Sequence, residues 1–208
     1  MTRGSRFLRA SAPLAFAALS FFWASRAHAA YDPETDAWVI GMGDPSPFGY
    51  FAVALYLFTA FLFHRRQRLD GDGYSKAASY MMLFLALNKA LDLQTGLADW
   101  GKQAALRGGW YGVRYIEQLT FIGAGIAFGL WALWFLPRKL GPKWPEHRVS
   151  ALASTALIVF ILVRASSLHQ LAFLSDEWAG FRVGTTIEVV LLAAVIAGVR
   201  KSIRSVTT

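Results

Sequence analysis

Polar and ionisable side chains recur inside four of the long apolar segments of this 208-residue chain. Within one of them, Asn88, Lys89 and Asp92 lie three or four residues apart, so a helix would carry them on one face. Charged groups in a membrane span are costly, usually face the bundle interior and indicate a functional site. We therefore predict a polar cluster at one depth, here called the outer cluster, of eight residues: Asn88, Lys89, Asp92, Gln94, Glu117, Arg164, His169 and Glu188.

The outer cluster has a structural and a functional interpretation, and the sequence leaves both open. In the structural one, Lys89 neutralises Asp92, and Arg164 pairs with Glu188 or Glu117, so that ion pairs fix the helix register. In the functional one, the cluster forms a polar cavity that binds a ligand, a lipid headgroup or a helix of another membrane protein.

Catalysis at the outer cluster would fall to Asp92, Ser166 and His169. Ser166 lies three residues before His169, on the same helical face, and a histidine can act as a general base toward a nearby hydroxyl. The surrounding residues lack the sharp turn that exposes the nucleophile of known hydrolases. Zinc needs three or four protein ligands and haem needs axial ligands, so one suitable histidine predicts no metal site and no cofactor.

Five apolar segments must position these side chains. The chain is 55% hydrophobic and only 16% charged, and each segment approaches the roughly 20 residues that a membrane-spanning helix needs. Backbone amides inside a bilayer must be paired within their own segment, which makes these segments helices. We predict an all-α integral membrane protein, a five-helix transmembrane domain over residues 30–208, with spans at Phe48–Phe63, Ala77–Leu97, Tyr115–Leu136, Val149–Leu171 and Val183–Val199.

Residues 1–29 have the three parts of a signal peptide. Three arginines lie within the first nine residues, the apolar stretch Ala10–Ser25 follows, and Ala27-His28-Ala29 supplies small residues at a cleavage site. We expect this segment to be cleaved. The alternative is that it is kept as an additional helix.

Basic residues between the segments predict the orientation. Four lie on one side of the membrane, at Lys102, Arg107, Arg114 and Arg182, and eleven lie on the other. By the positive-inside rule the richer side is cytoplasmic, which puts the mature N-terminus in the periplasm and the C-terminus in the cytoplasm of a bacterial inner membrane. The net charge of +8 comes from these short clusters and forms no basic stripe, so we predict no nucleic-acid partner. The eleven residues are Arg65, Arg66, Arg68, Lys76, Arg138, Lys139, Lys143, Arg148, Arg200, Lys201 and Arg204.

Small residues indicate close helix packing in the third segment. Gly125 and Gly129 lie four residues apart, a spacing that lets another helix approach the backbone. We expect that helix to belong to the same bundle rather than to a second copy.

The chain resembles small multi-pass inner-membrane proteins of bacteria in two runs of residues, LNKALDLQ over residues 87–94 and RASSLH over residues 164–169. That group has no assigned activity, so the resemblance implies a multi-pass membrane fold and no particular reaction. A looser resemblance, to the membrane hydrolases that include alkaline ceramidases, rests on a serine, an aspartate and a histidine at one membrane depth. Those enzymes hold zinc with several histidines, and this chain has one suitable residue, His169.

These observations favour a non-enzymatic membrane protein that binds a lipid or another membrane protein through the outer cluster, as an accessory subunit. Two alternatives stay open. One is a membrane-embedded enzyme that acts on a lipid-linked substrate, and the other is a small transporter or proton-coupled protein that uses Lys89, Asp92 and Glu188.

Overall fold

The computed structural model describes residues 31–32, 37–38, 47–108, 114–165, 177–178 and 181–207 of the chain. The predicted signal peptide lies outside these residues. Six α-helices, one 3₁₀ turn and two short antiparallel strand pairs are present in the described part. They are β1 (Tyr31–Asp32), β2 (Ala37–Trp38), α1 (Pro47–Asp70), α2 (Gly73–Leu91), α3 (Leu93–Gly108), α4 (Arg114–Leu140), the 3₁₀ turn (Gly141–Lys143), α5 (Trp144–Ala165), β3 (Glu177–Trp178), β4 (Phe181–Arg182) and α6 (Val183–Thr207).

Three helical stretches of the described residues are long and apolar enough to cross a membrane, at Pro47–Asp70, Ile122–Arg164 and Val183–Thr207. The second stretch includes most of α4 and α5. These two helices are joined by the 3₁₀ turn, whose first residue, Gly141, has a φ of +50°. These stretches indicate a multi-pass helical membrane protein, as the sequence predicted.

Large apolar side chains also cover the outside of the helices. Tyr80, Leu130 and Val190 are each more than 60% exposed, and Phe84 and Trp134 more than half. A soluble protein rarely exposes so much contiguous apolar surface, whereas lipid-facing helices require it. The exposed surface therefore agrees with membrane insertion.

The second predicted span is divided in two by the structure. Instead of one helix over Ala77–Leu97, α2 ends at Leu91 and α3 begins at Leu93. The residue between them, Asp92, has a left-handed φ of +48°, and its amide donates to the Asn88 carbonyl. Asp tolerates this conformation better than most residues because its short side chain can hydrogen-bond locally. The break places Asp92 at the C-cap of α2 rather than within a continuous span.

Helices α1, α2, α5 and α6 enclose the main core. Helices α1 and α2 are antiparallel, with the Ser79 hydroxyl donating to the Ala60 carbonyl at 2.9 Å. Helices α5 and α6 are antiparallel neighbours, and α6 runs parallel to α1. The core side chains come from all four helices and include Tyr56, Phe63, Met82, Leu85, Leu157, Leu192, Val195 and Val199.

Helix α4 lies outside this core and packs on α5. A Cβ atom added to Gly129 would lie 3.0 Å from the Val159 side chain, and one added to Gly125 would lie 3.5 Å from Leu162. Both glycines are buried. The predicted close approach at Gly125 and Gly129 is thus confirmed as a contact within the bundle.

The helix pairings bring the eleven basic residues of the richer side to one end of the bundle. This end contains the C-termini of α1, α4 and α6 and the N-termini of α2 and α5, since Arg66 contacts both Glu146 and Ser202. We call it the basic end. The segments that carry the other four basic residues adjoin helix ends at the opposite side. The sequence therefore grouped these residues correctly at one end of the bundle.

The contact between α5 and α6 depends on Gly198. A Cβ atom at this position would lie 2.5 Å from the backbone nitrogen of Ser150 and 2.9 Å from its Cα. Gly198→Ala should therefore force the two helices apart and destabilise the protein by about 1–3 kcal/mol, as overpacking does elsewhere. Thermal unfolding in detergent micelles would measure this loss. Gly123→Ala is the control, because nothing lies within 4 Å of that position; equal melting temperatures for the two variants would contradict the prediction.

Candidate functional site

Two polar layers lie toward opposite ends of the four-helix core. One surrounds Glu188 and the other surrounds Arg66. On α6 the layers are represented by Glu188 and Ser202, which are about 21 Å apart at 1.5 Å per residue. The buried residues between them on α6 are apolar or glycine, such as Leu192 and Val195. On α6 the two layers are thus separated by buried residues without polar side chains.

The Glu188 carboxylate accepts hydrogen bonds from three other helices. The Tyr56 hydroxyl of α1 donates to Oε1 at 2.7 Å. The Lys89 ammonium of α2 donates to Oε2 at 2.8 Å, and the Arg164 guanidinium of α5 donates to the same oxygen at 3.2 Å. We call these four residues the Glu188 cluster. The carboxylate therefore connects all four core helices.

The Glu188 cluster carries more positive than negative charge. Two cations face one carboxylate, so the four side chains together have a net charge of +1 when Lys89 is protonated. Glu188 is 3% exposed and Lys89 is 9% exposed, whereas Arg164 is 24% exposed. Among the described residues no second carboxylate contacts Lys89 or Arg164, so a negatively charged group beside the partly exposed Arg164 would stabilise the arrangement. The arrangement is suited to binding an anion at its most accessible member.

Lys89, Arg164 and Glu188 belong to the predicted outer cluster, and the structure brings them together. The predicted pair of Arg164 and Glu188 is present at 3.2 Å. Lys89 pairs with Glu188; the described contacts contain no ion pair between Lys89 and Asp92. The break at Asp92 explains this difference, because the predicted pairing assumed a continuous helix.

The other predicted residues are not tested. The half-buried Asn88 lies on α2, and its backbone carbonyl accepts the hydrogen bond from the amide of Asp92, the C-cap residue. Gln94 is on α3 and Glu117 on α4, but their side chains are outside the described part of the structure, as are Ser166 and His169 altogether. Their roles, including the catalytic interpretation of Asp92, Ser166 and His169, stay predictions.

Tyr56 is a member of the Glu188 cluster that the sequence analysis missed. It lies in the middle of an apolar run, where tyrosine resembles any other large core residue. The signal that could have identified Tyr56 is its spacing from other buried residues of the same helix. Tyr56, Phe63 and Arg66 repeat at intervals of seven and three residues, which places them on one helical face, and all three are fully buried.

A second charge network surrounds Arg66, whose side chain is 0% exposed. Its guanidinium donates to Ser202 Oγ, Asp70 Oδ2 and Glu146 Oε2, each at 2.8 Å. The first predicted span ended at Phe63 and left Arg66 in a loop. The prediction was wrong at this point, because α1 continues to Asp70 and turns Arg66 into the bundle. The sequence predicted one polar cluster at one depth, and the Arg66 network adds a second at the other end of the bundle.

His147 joins this network from the first turn of α5. Its Nε2 lies 3.2 Å from Asp72 Oδ2, and its Nδ1 lies 3.4 Å from Ser202 Oγ. The order Asp72, His147, Ser202 resembles a catalytic relay, but Ser202 is buried in a helix and also accepts a hydrogen bond from Arg66. No substrate carbonyl can approach such a hydroxyl, so these residues connect helices.

Asp72 is the N-cap of α2 as well as a partner of His147. Its carboxylate accepts hydrogen bonds from the amides of Tyr74 at 3.2 Å and Ser75 at 3.0 Å. Burial acts to raise the pKa of Asp72, but hydrogen bonds from Ser75 and Tyr74 and the nearby His147 outweigh it. The pKa of Asp72 therefore lies below its ordinary value.

The chain matches no family model, no curated protein and no solved structure. The resemblances stated from the sequence therefore stay predictions, and the functional assignment depends on the geometry of the site.

Removal of the Glu188 charge should destabilise the bundle strongly. Glu188→Gln removes the carboxylate that faces the nearly inaccessible Lys89 and the partly exposed Arg164, and breaking a buried pair in this way costs about 3–5 kcal/mol in general. Tyr56→Phe is the matched control, since it removes one hydrogen bond to the same carboxylate and should cost about 1 kcal/mol. Chemical unfolding in mixed micelles measures both variants. When Lys89→Met is added to Glu188→Gln, it should restore part of the lost stability. Equal stability of Glu188→Gln and Tyr56→Phe would contradict this account.

The Asp72 contacts predict a specific loss of stability in acid. Because the folded-state pKa is lowered, the ionised carboxylate stabilises the protein fully above the unfolded pKa, about 3.9. This contribution disappears as the pH falls through the folded-state pKa. Asp72→Asn keeps an effective N-cap but cannot titrate, so the difference in melting temperature between wild type and variant should shrink from pH 6 to pH 3. A difference that does not change with pH would contradict the prediction.

Proposed function

We propose that this chain is a five-helix protein of a bacterial inner membrane that binds an anionic group at the Glu188 cluster. The five spans are α1, α2, α4, α5 and α6. Helix α2, the shortest of them, has 19 residues and is about 28 Å long, close to the hydrocarbon thickness of about 30 Å. The gathering of eleven basic residues at one end supports a cytoplasmic basic end and a periplasmic Glu188 cluster.

The observation that carries the binding proposal is the ratio of two cations to one carboxylate at Glu188. Lys89 and Glu188 are both nearly inaccessible and can be regarded as a neutral pair. Among the described residues Arg164 is then the cation in excess, and it is also the most exposed member of the three. A guanidinium offers five N–H donors in a fixed fork that suits a carboxylate or a phosphate. The ligand is therefore expected to present one of these groups to Arg164.

A binding role agrees with the rest of the described structure better than transport does. The apolar layer formed by residues such as Phe63, Met82 and Leu157 separates the Glu188 cluster from the Arg66 network. Among the described residues, an ion that crossed the bundle would meet no buried charged side chain in this layer, only hydroxyls such as those of Thr59 and Ser154. The described residues also place no accessible nucleophile beside a base. We therefore infer an accessory or ligand-binding protein and keep the enzyme as the alternative.

The test is native mass spectrometry of the full chain extracted in mild detergent, with identification of every mass that remains bound. The key variant is Arg164→Gln, which removes the excess charge and leaves the Lys89–Glu188 pair intact. Arg148→Gln is the control, because it removes an exposed arginine at the other end of the same helix.

We expect the wild type and Arg148→Gln to retain an anionic molecule or an acidic partner protein at fixed stoichiometry, and Arg164→Gln to lose it. A small bound mass would identify a lipid or soluble ligand, and a bound polypeptide would identify an accessory subunit. A bare wild-type chain, or a ligand that Arg164→Gln retains, would refute the proposal.

A further inference from the structure

We propose that the outer groove between α1 and α6 at the basic end binds an anionic phospholipid, with Arg65 and Arg200 holding its headgroup phosphate. This site lies apart from the Glu188 cluster and does not depend on the function proposed for it.

Helices α1 and α6 pack side by side in the same direction. Tyr56 meets Glu188 near their first halves, and Arg66 meets Ser202 near their C-terminal ends. Residues that follow one another on the outside of α1 therefore have neighbours at similar depth on α6. Such a parallel pair forms a groove that runs from the apolar span to the basic end.

Arg200 connects the two walls of this groove. Its guanidinium carbon lies 5.7 Å from the centroid of the Phe58 ring, a cation–π contact between α6 and α1. Phe58 is itself 38% exposed. Arg65 lies seven residues after Phe58, on the same face of α1, and is exposed. The groove thus carries an exposed guanidinium on each wall at its basic end.

Small residues on α6 leave room beside Phe58. Ala193 and Ala197 are exposed and precede Arg200 at intervals of four and three residues, so they lie on the same face. An apolar chain could lie along these alanines and against the Phe58 ring. The groove therefore combines an apolar floor with a cationic end, which are the two features that a phospholipid requires.

The carboxylates described at the basic end are already engaged elsewhere. Asp70 pairs with Arg66 and Lys143, and Glu146 pairs with Arg66. Asp72 caps α2 and contacts His147. None of these three pairs with Arg65 or Arg200 in the described structure. A phosphate is the complementary group, since guanidinium binds it through two parallel hydrogen bonds.

A phospholipid fits this groove better than a nucleic acid or an acidic peptide. Those ligands would require a basic surface facing water, whereas Arg200 lies against an aromatic ring of an apolar span. Basic residues at this position beside a membrane helix attract anionic headgroups. The chemistry therefore selects a ligand with both a phosphate and an acyl chain.

The experiment is native mass spectrometry of the full chain in detergent, titrated in parallel with phosphatidylglycerol and phosphatidylcholine of identical acyl chains. The test variant is Arg65→Gln with Arg200→Gln. The control, Lys139→Gln with Arg148→Gln, removes two exposed charges from the same end but from α4 and α5. We expect wild type and control to bind one phosphatidylglycerol more tightly than phosphatidylcholine, and the test variant to bind it about 25-fold more weakly, at about five-fold per arginine.

Two results would overturn the assignment. Equal affinity of the wild type for the two lipids would refute the preference for an anionic headgroup, since both lipids carry a phosphate and the choline cation cancels its charge in phosphatidylcholine. An equal loss of affinity in test and control variants would show that binding follows total charge and not this groove. Circular dichroism of both variants confirms that the helices remain folded.

Discussion

Burial of charge inside an apolar bundle is the constraint on which this structure depends. Glu188 and Arg66 are each almost inaccessible, and neither can remain ionised there without partners of opposite charge or hydrogen-bonding groups. Their partners come from different helices, so satisfying one charge fixes several helices at once. Glu188 joins α6 to the other three core helices, and Arg66 joins α1 to α5 and α6. Apolar contacts alone would let helices slide in lipid, whereas these contacts define register.

The two polar layers differ in what they offer to other molecules. Around Arg66 the contacts close on themselves, because one guanidinium serves Asp70, Glu146 and Ser202 together. Around Glu188 a single carboxylate receives two cations, and Arg164 keeps part of its surface accessible. A closed network stabilises the fold, whereas an unbalanced one can also recruit an anion. This contrast is why the binding proposal is placed at Glu188 and a structural role is assigned to Arg66 and His147.

The same constraint on charge applies to the outer surface of the bundle. The described carboxylates at the basic end pair within the structure, and Arg65 and Arg200 remain exposed on the outside of the bundle. The carboxylates thus neutralise cations within the bundle. The proposed groove keeps a positive surface that is complementary to an anionic lipid. The Arg66 network and the outer groove both involve α1 and α6. Their effects can be distinguished only by variants that alter one face of these helices at a time.

The sequence by itself determined the fold class, the helical nature of the apolar segments and the grouping of basic residues, because apolar length and loop charge are local properties. It also offered Glu188, beside Glu117, as a partner of Arg164, since these residues belong to helix ends that topology brings together, and the structure contains the pair with Glu188. Only the tertiary structure decided that Tyr56 joins this pair, that Lys89 chooses Glu188 over Asp92, and that Arg66 and His147 lie within helices. These outcomes depend on where a helix ends and which face it buries. Both are set by contacts between segments distant in the chain, such as the one that draws Arg66 to Glu146 across eighty residues.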